Sequence, residues 1–143
     1  HEDYFKTILH NVIRHTVPDH GPGELSIAFV DDKTSQSLNK KYRNQDKPTN
    51  VLSFGSVQSP LEPNQWGPYR VLGDIVLAKE TIVEEAKTQK KACLDHIIHL
   101  LIHGMLHNLG YDHMTNEDAA RMEALEIDFL HTLNIRNPYL TDE

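Results

Sequence analysis

The sequence predicts an α+β fold, a small sheet flanked by helices. Apolar residues recur at helical spacing in several long segments, and short runs rich in valine, isoleucine, leucine and phenylalanine stand between them. The two kinds of segment mix without strict alternation, which disfavours a doubly wound sheet, and no internal repeat is visible. With 143 residues, 38% of them hydrophobic and 24% charged, the chain is long enough to bury a core and is expected to form a single domain over residues 1–143.

Glu2 to Val17 reads as an amphipathic helix, with Phe5, Ile8, Leu9, Val12 and Ile13 on one face. Pro18 to Gly23 breaks it. Glu24 to Asp31 reads as a strand, with Leu25, Ile27 and Phe29 on one face and Ala28 and Val30 on the other, so cover is expected on both sides. Thr34 or Ser35 can cap a short helix to about Tyr42. Arg43 to Asn50 is polar, contains Pro48 and reads as a loop, and Val51 to Phe54 reads as a strand. Ser56 to Tyr69 carries Pro60, Pro63, Gly67 and Pro68 and reads as a loop in which Trp66 is a packing anchor. Arg70 to Ala78 is a further strand, carrying Val71, Leu72, Ile75, Val76 and Leu77. Lys79 to about Lys90 reads as a helix with Ile82, Val83 and Ala86 inward. Ala92 to Leu109 is the most apolar helix and is expected to run through the core. Thr115 or Asn116 caps a last helix to about Leu133, whose stripe is Met122, Leu125, Phe129 and Leu130.

Composition narrows the function classes. No apolar run approaches the length of about 20 residues that spans a bilayer, and the most apolar stretch, Ile97 to Ile102, is interrupted by His99. The single Cys93 has no internal disulfide partner, fits a reducing compartment, and is expected to be a small buried residue near a helix start. No signal-peptide pattern opens the chain, which begins with His1, and the expected location is cytoplasmic. A net charge of −7 does not mark a nucleic-acid binder. Basic residues nevertheless cluster at Lys40, Lys41, Arg43 and Lys47 and again at Lys87, Lys90 and Lys91, as either a local groove or solvated faces.

The most informative stretch runs from His103 to His113. Its three histidines, His103, His107 and His113, stand at i, i+4 and i+10. On a helix the first two share a face one turn apart and can both reach one ion at about 2 Å. Gly110 lets the chain leave the helix, and His113 can then swing back to complete a facial set. A lone histidine on a helix is ordinarily a surface or satisfied core residue; the pair, the glycine and the third histidine together favour a metal. Three protein ligands leave an open position, the pattern of a catalytic zinc. The spacing matches the zincin motif H-E-x-x-H-x-x-G-x-x-H except that Gly104 replaces the glutamate that acts as base in those proteases, which argues against an ordinary metalloprotease.

His103-Gly104-Met105-Leu106-His107-Asn108-Leu109-Gly110-Tyr111-Asp112-His113 resembles the signature H-G-x-L-H-x-x-G-Y-D-H of the YbeY family of bacterial single-domain endoribonucleases. The segment from Tyr42-Arg43-Asn44 through Pro48-Thr49-Asn50-Val51-Leu52-Ser53-Phe54 is similar to that family's second signature. Leu72-Gly73-Asp74-Ile75-Val76 and Met122-Glu123-Ala124-Leu125-Glu126 also resemble its pattern, and the likeness spans about Leu25 to Tyr139. It departs at Gly55, where the family often has proline. The resemblance implies an α+β fold with a small mixed β-sheet and a zincin-like three-histidine site on a central helix and the following turn. It implies one zinc ion per chain in a site open to a cleft. It implies a single-strand-specific, metal-dependent endoribonuclease that matures the 3′ end of small-subunit ribosomal RNA and serves ribosome quality control. The implied partners are ribosomal RNA and small-subunit proteins, with neither DNA nor membrane.

A three-histidine zinc polarises a phosphoryl oxygen and lowers the pKa of a bound water toward about 7. The match to the second signature selects Arg43 as the guanidinium that grips the scissile phosphate; charge alone would leave it a surface salt-bridging arginine. The general base stays open between Asp112, which can also orient a histidine, and Asp74. His99, one turn before His103, is expected to be a packed or ligand-supporting histidine rather than a fourth ligand. Three imidazoles also suit nickel, copper or iron. Two other readings remain: a metal hydrolase of another substrate, such as a divergent peptidase, and a non-catalytic assembly factor stabilised by zinc.

Overall fold

A computed structural model describes residues 2–16, 23–54, 70–109, 111 and 114–140. The elements run α1 (Glu2–Thr16), β1 (Gly23–Val30), α2 (Asp32–Arg43), β2 (Val51–Phe54), β3 (Arg70–Ala78), α3 (Lys79–Thr88), α4 (Cys93–Asn108) and α5 (Asn116–Thr132). The three strands form one mixed sheet in the order β1-β3-β2. β1 lies parallel to the central β3, with Ile27 opposite Ile75 and Phe29 opposite Leu77. β2 lies antiparallel to β3, with Leu52 opposite Val76 and Ser53 opposite Ile75. The expected α+β class and small mixed sheet are both present. The loop expected over 56–69, with Trp66, lies outside the described residues, as does Gly55.

The core forms where α4 meets the other layers. Ile98, Leu101, Ile102, Met105 and Leu106 of α4 are buried, and so are Phe5, Ile8, Leu9, Val12 and Ile13 of α1. Ile82 and Ala86 of α3, Met122, Phe129 and Leu130 of α5, and Ile75 and Leu77 of β3 join them. α4 packs on α1, α3, α5, β2 and β3. An all-round apolar helix must be surrounded, and each fully buried aliphatic side chain contributes about 1.5–3 kcal/mol.

Local hydrogen bonds set the helix boundaries. Asp31, rather than Thr34 or Ser35, caps α2: its carboxylate accepts from the Thr34 backbone N–H at 2.8 Å. Hydrogen bonding from the Thr34 side chain, and then from its backbone N–H, holds the exposed Asp31 carboxyl below its ordinary range. Ser35 instead turns inward and donates to the Thr49 carbonyl at 2.8 Å. α2 extends through Arg43 and stops at Asn44, whose φ of 59° is left-handed. The starts of α2 and α3 are tied together: Asp32 accepts from the Thr81 hydroxyl and backbone N–H at 2.7 and 3.1 Å, while its own backbone N–H donates to Glu80 at 2.9 Å. Thr115 caps α5 through the Asp118 N–H at 3.0 Å.

Three further expectations fail. The cover expected on both faces of β1 is incomplete: Ala28 is exposed, and Phe29 is 41% exposed even with its ring 6.2 Å from that of Phe5. Val83 faces solvent while its neighbour Ile82 is buried. Cys93 is the first residue of α4, as expected of a helix start, but it is exposed. No helix among the described residues is long and apolar enough to cross a membrane.

Candidate active site

Gly104 explains how α4 sits against the sheet. A Cβ at this position would lie 2.8 Å from Ser53 Oγ and 3.5 Å from Ile75 Cγ2. The position that carries glutamate in zincins therefore has no room here for a side chain beyond hydrogen unless the Ser53 hydroxyl turns away or β2 moves. The close approach seats α4 on β2 and β3 at Ser53 and Ile75.

The same serine fixes Arg43. The Ser53 carbonyl accepts from Arg43 Nη2 at 2.7 Å, and the guanidinium lies 5.2 Å from the centre of the Phe54 ring. Tyr42 meets that ring edge-on at 5.3 Å. Arg43 thus leaves the last turn of α2, crosses to β2 and is held in place while staying exposed. Ser53 is the link between this arginine and the helix of the histidines.

His103 and His107 lie one turn apart on α4, both half-buried, among the buried residues Ile102, Gly104, Met105 and Leu106. Glu126 of α5, fully buried, reaches back to this face. It accepts from His103 Nδ1 at 3.2 Å, from His99 Nε2 at 2.8 Å, and from the Tyr139 hydroxyl at 3.0 and 2.9 Å on its two oxygens. Burial would raise the Glu126 carboxyl, but the hydrogen bonds and positive charge of His103 and His99 outweigh it and hold the pKa down at about 2. Such a carboxylate only accepts, so the ring nitrogens facing it carry the protons. In its neutral form His103 then carries its proton on Nδ1, which leaves Nε2 to coordinate. Carboxylates that hold a histidine this way are the usual support of a metal ligand.

Held this way, His103 is oriented as a metal-ligating histidine is. Of the other residues singled out from the sequence, His113 and Asp112 lie outside the described residues, as does Gly110. Among the described residues no group of three or more His, Cys, Asp or Glu side chains is placed to hold one metal ion; His103 and His107 are the two members of the expected set that are described. Asp74 sits on β3 between Ser26 and Phe54, with an exposed side chain. His99 takes the supporting place, on Glu126.

Sequence reasoning missed Glu126 and Tyr139 as site residues. The signal for Glu126 was available: it stands four residues after Met122 and four before Leu130, inside the apolar stripe of α5. An acid at such a position must find partners or lose its charge.

The fold and this histidine arrangement place the chain in a definite class, an α+β protein whose central helix carries two histidines one turn apart, the first held by a buried carboxylate. The sequence model described as endoribonuclease YbeY matches residues 1–134, and the chain belongs to that family. It is 51% identical over 123 residues to the endoribonuclease YbeY of Paramagnetospirillum magneticum, covering 86% of this chain and 74% of the relative. It is 43% identical over 138 residues to that of Bartonella henselae, covering 96% and 83%. A Thermotoga maritima protein solved in solution shares the fold, with a TM-score of 0.56 over 92% of this chain and 83% of the other, at 22% identity.

Proposed function

We propose that the chain is a zinc-dependent endoribonuclease, specific for single strands, that acts in the cytoplasm on the 3′ end of small-subunit ribosomal RNA and in ribosome quality control. Its partners are then ribosomal RNA and proteins of the small subunit. Family membership and the names of the relatives support the cleavage of RNA. The likeness of the two signature segments supports the ribosomal substrate. The observation that carries the metal reading is the bond from His103 Nδ1 to the buried Glu126.

In this reading His103, His107 and His113 hold one zinc ion. The zinc, when bound, supplies a Lewis acid for a phosphoryl oxygen and an acidified water. Glu126 keeps the His103 proton on Nδ1, and His99 and Tyr139 keep Glu126 charged and oriented. Arg43, braced by Ser53 and Phe54, offers its remaining N–H groups to the phosphate oxygens. A peptidase is disfavoured because glycine stands at the position of the zincin base, where Ser53 Oγ crowds any Cβ.

Cleavage of a defined ribosomal precursor, with fragment ends mapped, tests the proposal. Wild type should cut the single-stranded 3′ extension and lose cutting with chelator. His107→Ala should lose both metal and cutting. Arg43→Lys should keep fold and metal but lose most cutting, because a point charge cannot replace the planar fork. Chelator-resistant cutting, or unchanged cutting by Arg43→Lys, would overturn the corresponding role.

A further inference from the structure

The segment after α5 makes a contact that the helices do not require. Asn134 takes a left-handed φ of 61°, and the Ile135 N–H returns to the Leu130 carbonyl at 2.9 Å, turning the chain back over the bundle. Lys91 donates to the Pro138 carbonyl at 3.1 Å, and Asn137 accepts from the Tyr139 N–H at 2.8 Å. These bonds deliver the Tyr139 hydroxyl to Glu126. The Tyr139 ring meets the His99 ring edge-on at 5.5 Å. Beyond it lies a cavity of about 780 Å³ lined by His96, His99, Lys91, Pro138 and Tyr139. Tyr139 lies past residue 134, where the family match ends.

The geometry of the hydroxyl is specific. It stands 3.0 Å from one Glu126 oxygen and 2.9 Å from the other, so it straddles the carboxylate. The first oxygen also takes His99 and His103; among the described residues the second takes Tyr139 alone. The last torsion of a glutamate is broad and roughly two-fold, so packing alone does not hold its plane. Without the phenol, one oxygen of a buried anion loses its donor, and the carboxylate can turn away from His103 or admit water from the cavity. Burial and the neighbouring Glu126 raise the Tyr139 phenol well above its ordinary range, so it stays a donor at every working pH.

We propose that Tyr139 is a positioning residue for the metal site: by bridging both oxygens of Glu126 it holds the carboxylate on His103 Nδ1, and so sets how tightly the histidines retain zinc. The proposal rests on the reading of His103 as a zinc ligand. It makes the C-terminal segment a latch on the site rather than a tail.

The test measures zinc dissociation from the full chain by competition with a chromophoric chelator, and the His103 ring tautomer by nitrogen NMR in the metal-free protein. Wild type should retain zinc and show His103 protonated on Nδ1. Tyr139→Phe, which keeps the ring, should weaken zinc about 10-fold and mix the tautomers, and Glu126→Gln should weaken it about 100-fold, within the range for groups that support a metal ligand. Zinc retention and tautomer unchanged in Tyr139→Phe would overturn the role of Tyr139 alone. A wild type that binds no zinc would overturn the metal reading and the latch with it.

Discussion

Glu85 holds His96 near the start of α4, and Glu126 holds His99 and His103 further along it. The contacts are alike in length: 2.9 Å for His96 and 2.8 Å for His99. Their burial is inverted. In the first pair the histidine side chain is 4% exposed and the carboxylate 32% exposed. In the second the carboxylate is 1% exposed, while His99 is 12% and His103, at 3.2 Å, 31% exposed. Glu85 also accepts from Asn50 at 3.0 Å, which ties α3 to the residue just before β2. A buried imidazole with an open acid is a clamp between elements. A buried acid with an imidazole reaching outward presents that imidazole to whatever binds.

Removing the two acids should separate these roles. Glu126→Ala leaves three donors without their acceptor, and breaking a buried pair of this kind costs about 3–5 kcal/mol. Urea unfolding should show that loss, and RNA cleavage should vanish. Glu85→Ala should cost only about 1 kcal/mol, because solvent replaces a partly open carboxylate, and should leave cleavage near wild type. Equal effects of the two substitutions would remove the distinction.

Acid should act on the same contrast. The folded Glu126 pKa of about 2 lies below its ordinary value of 4.5. Its contribution, about 3 kcal/mol, is complete above pH 4.5 and is lost as pH falls toward 2. Unfolding free energy followed across that window should decline in wild type, and Glu126→Gln should flatten the decline.

Gly104→Ala comes next in size. Its Cβ would stand 2.8 Å from Ser53 Oγ, so the hydroxyl must turn away or β2 must shift, at about 1–3 kcal/mol. Because Ser53 also holds Arg43, cleavage should fall more than stability does. Adding Ser53→Ala removes the colliding atom and should restore most of both. Failure of that rescue would show that the tight approach is not what glycine serves here.

The smallest effect is expected at the C-cap of α2. Asn44→Gly suits the left-handed backbone and should change stability by only a few tenths of a kcal/mol in thermal unfolding. A large loss would mean that the Asn44 side chain takes part in holding Arg43.

Much of the framework was legible because periodicity reports which residues share a face. The five apolar positions of α1 are all buried, and β2 and β3 fall where the apolar runs placed them. Periodicity does not say which face has a partner. Val83 sits beside the stripe of α3 and still faces water, and β1, apolar on both faces, proved to be an edge. Asp31 and Thr34 are both cap-forming types three residues apart, and only the backbone path decides which one bonds the free N–H.

The chain by itself determined the pairing of His103 with His107 on one turn of one helix, since a four-residue interval on an α-helix admits little else. It also determined that this helix is central, because a segment so apolar has no stable exposed arrangement. Only the tertiary structure decided why Gly104 replaces an acid, which acid serves the histidines instead, and what holds that acid in turn. Those answers depend on how closely α4 meets β2, and on partners 23 and 13 residues away in sequence whose approach is set by helix packing. Local rules do not reach across such separations. They limit what each segment can be; the packing of segments settles which groups meet.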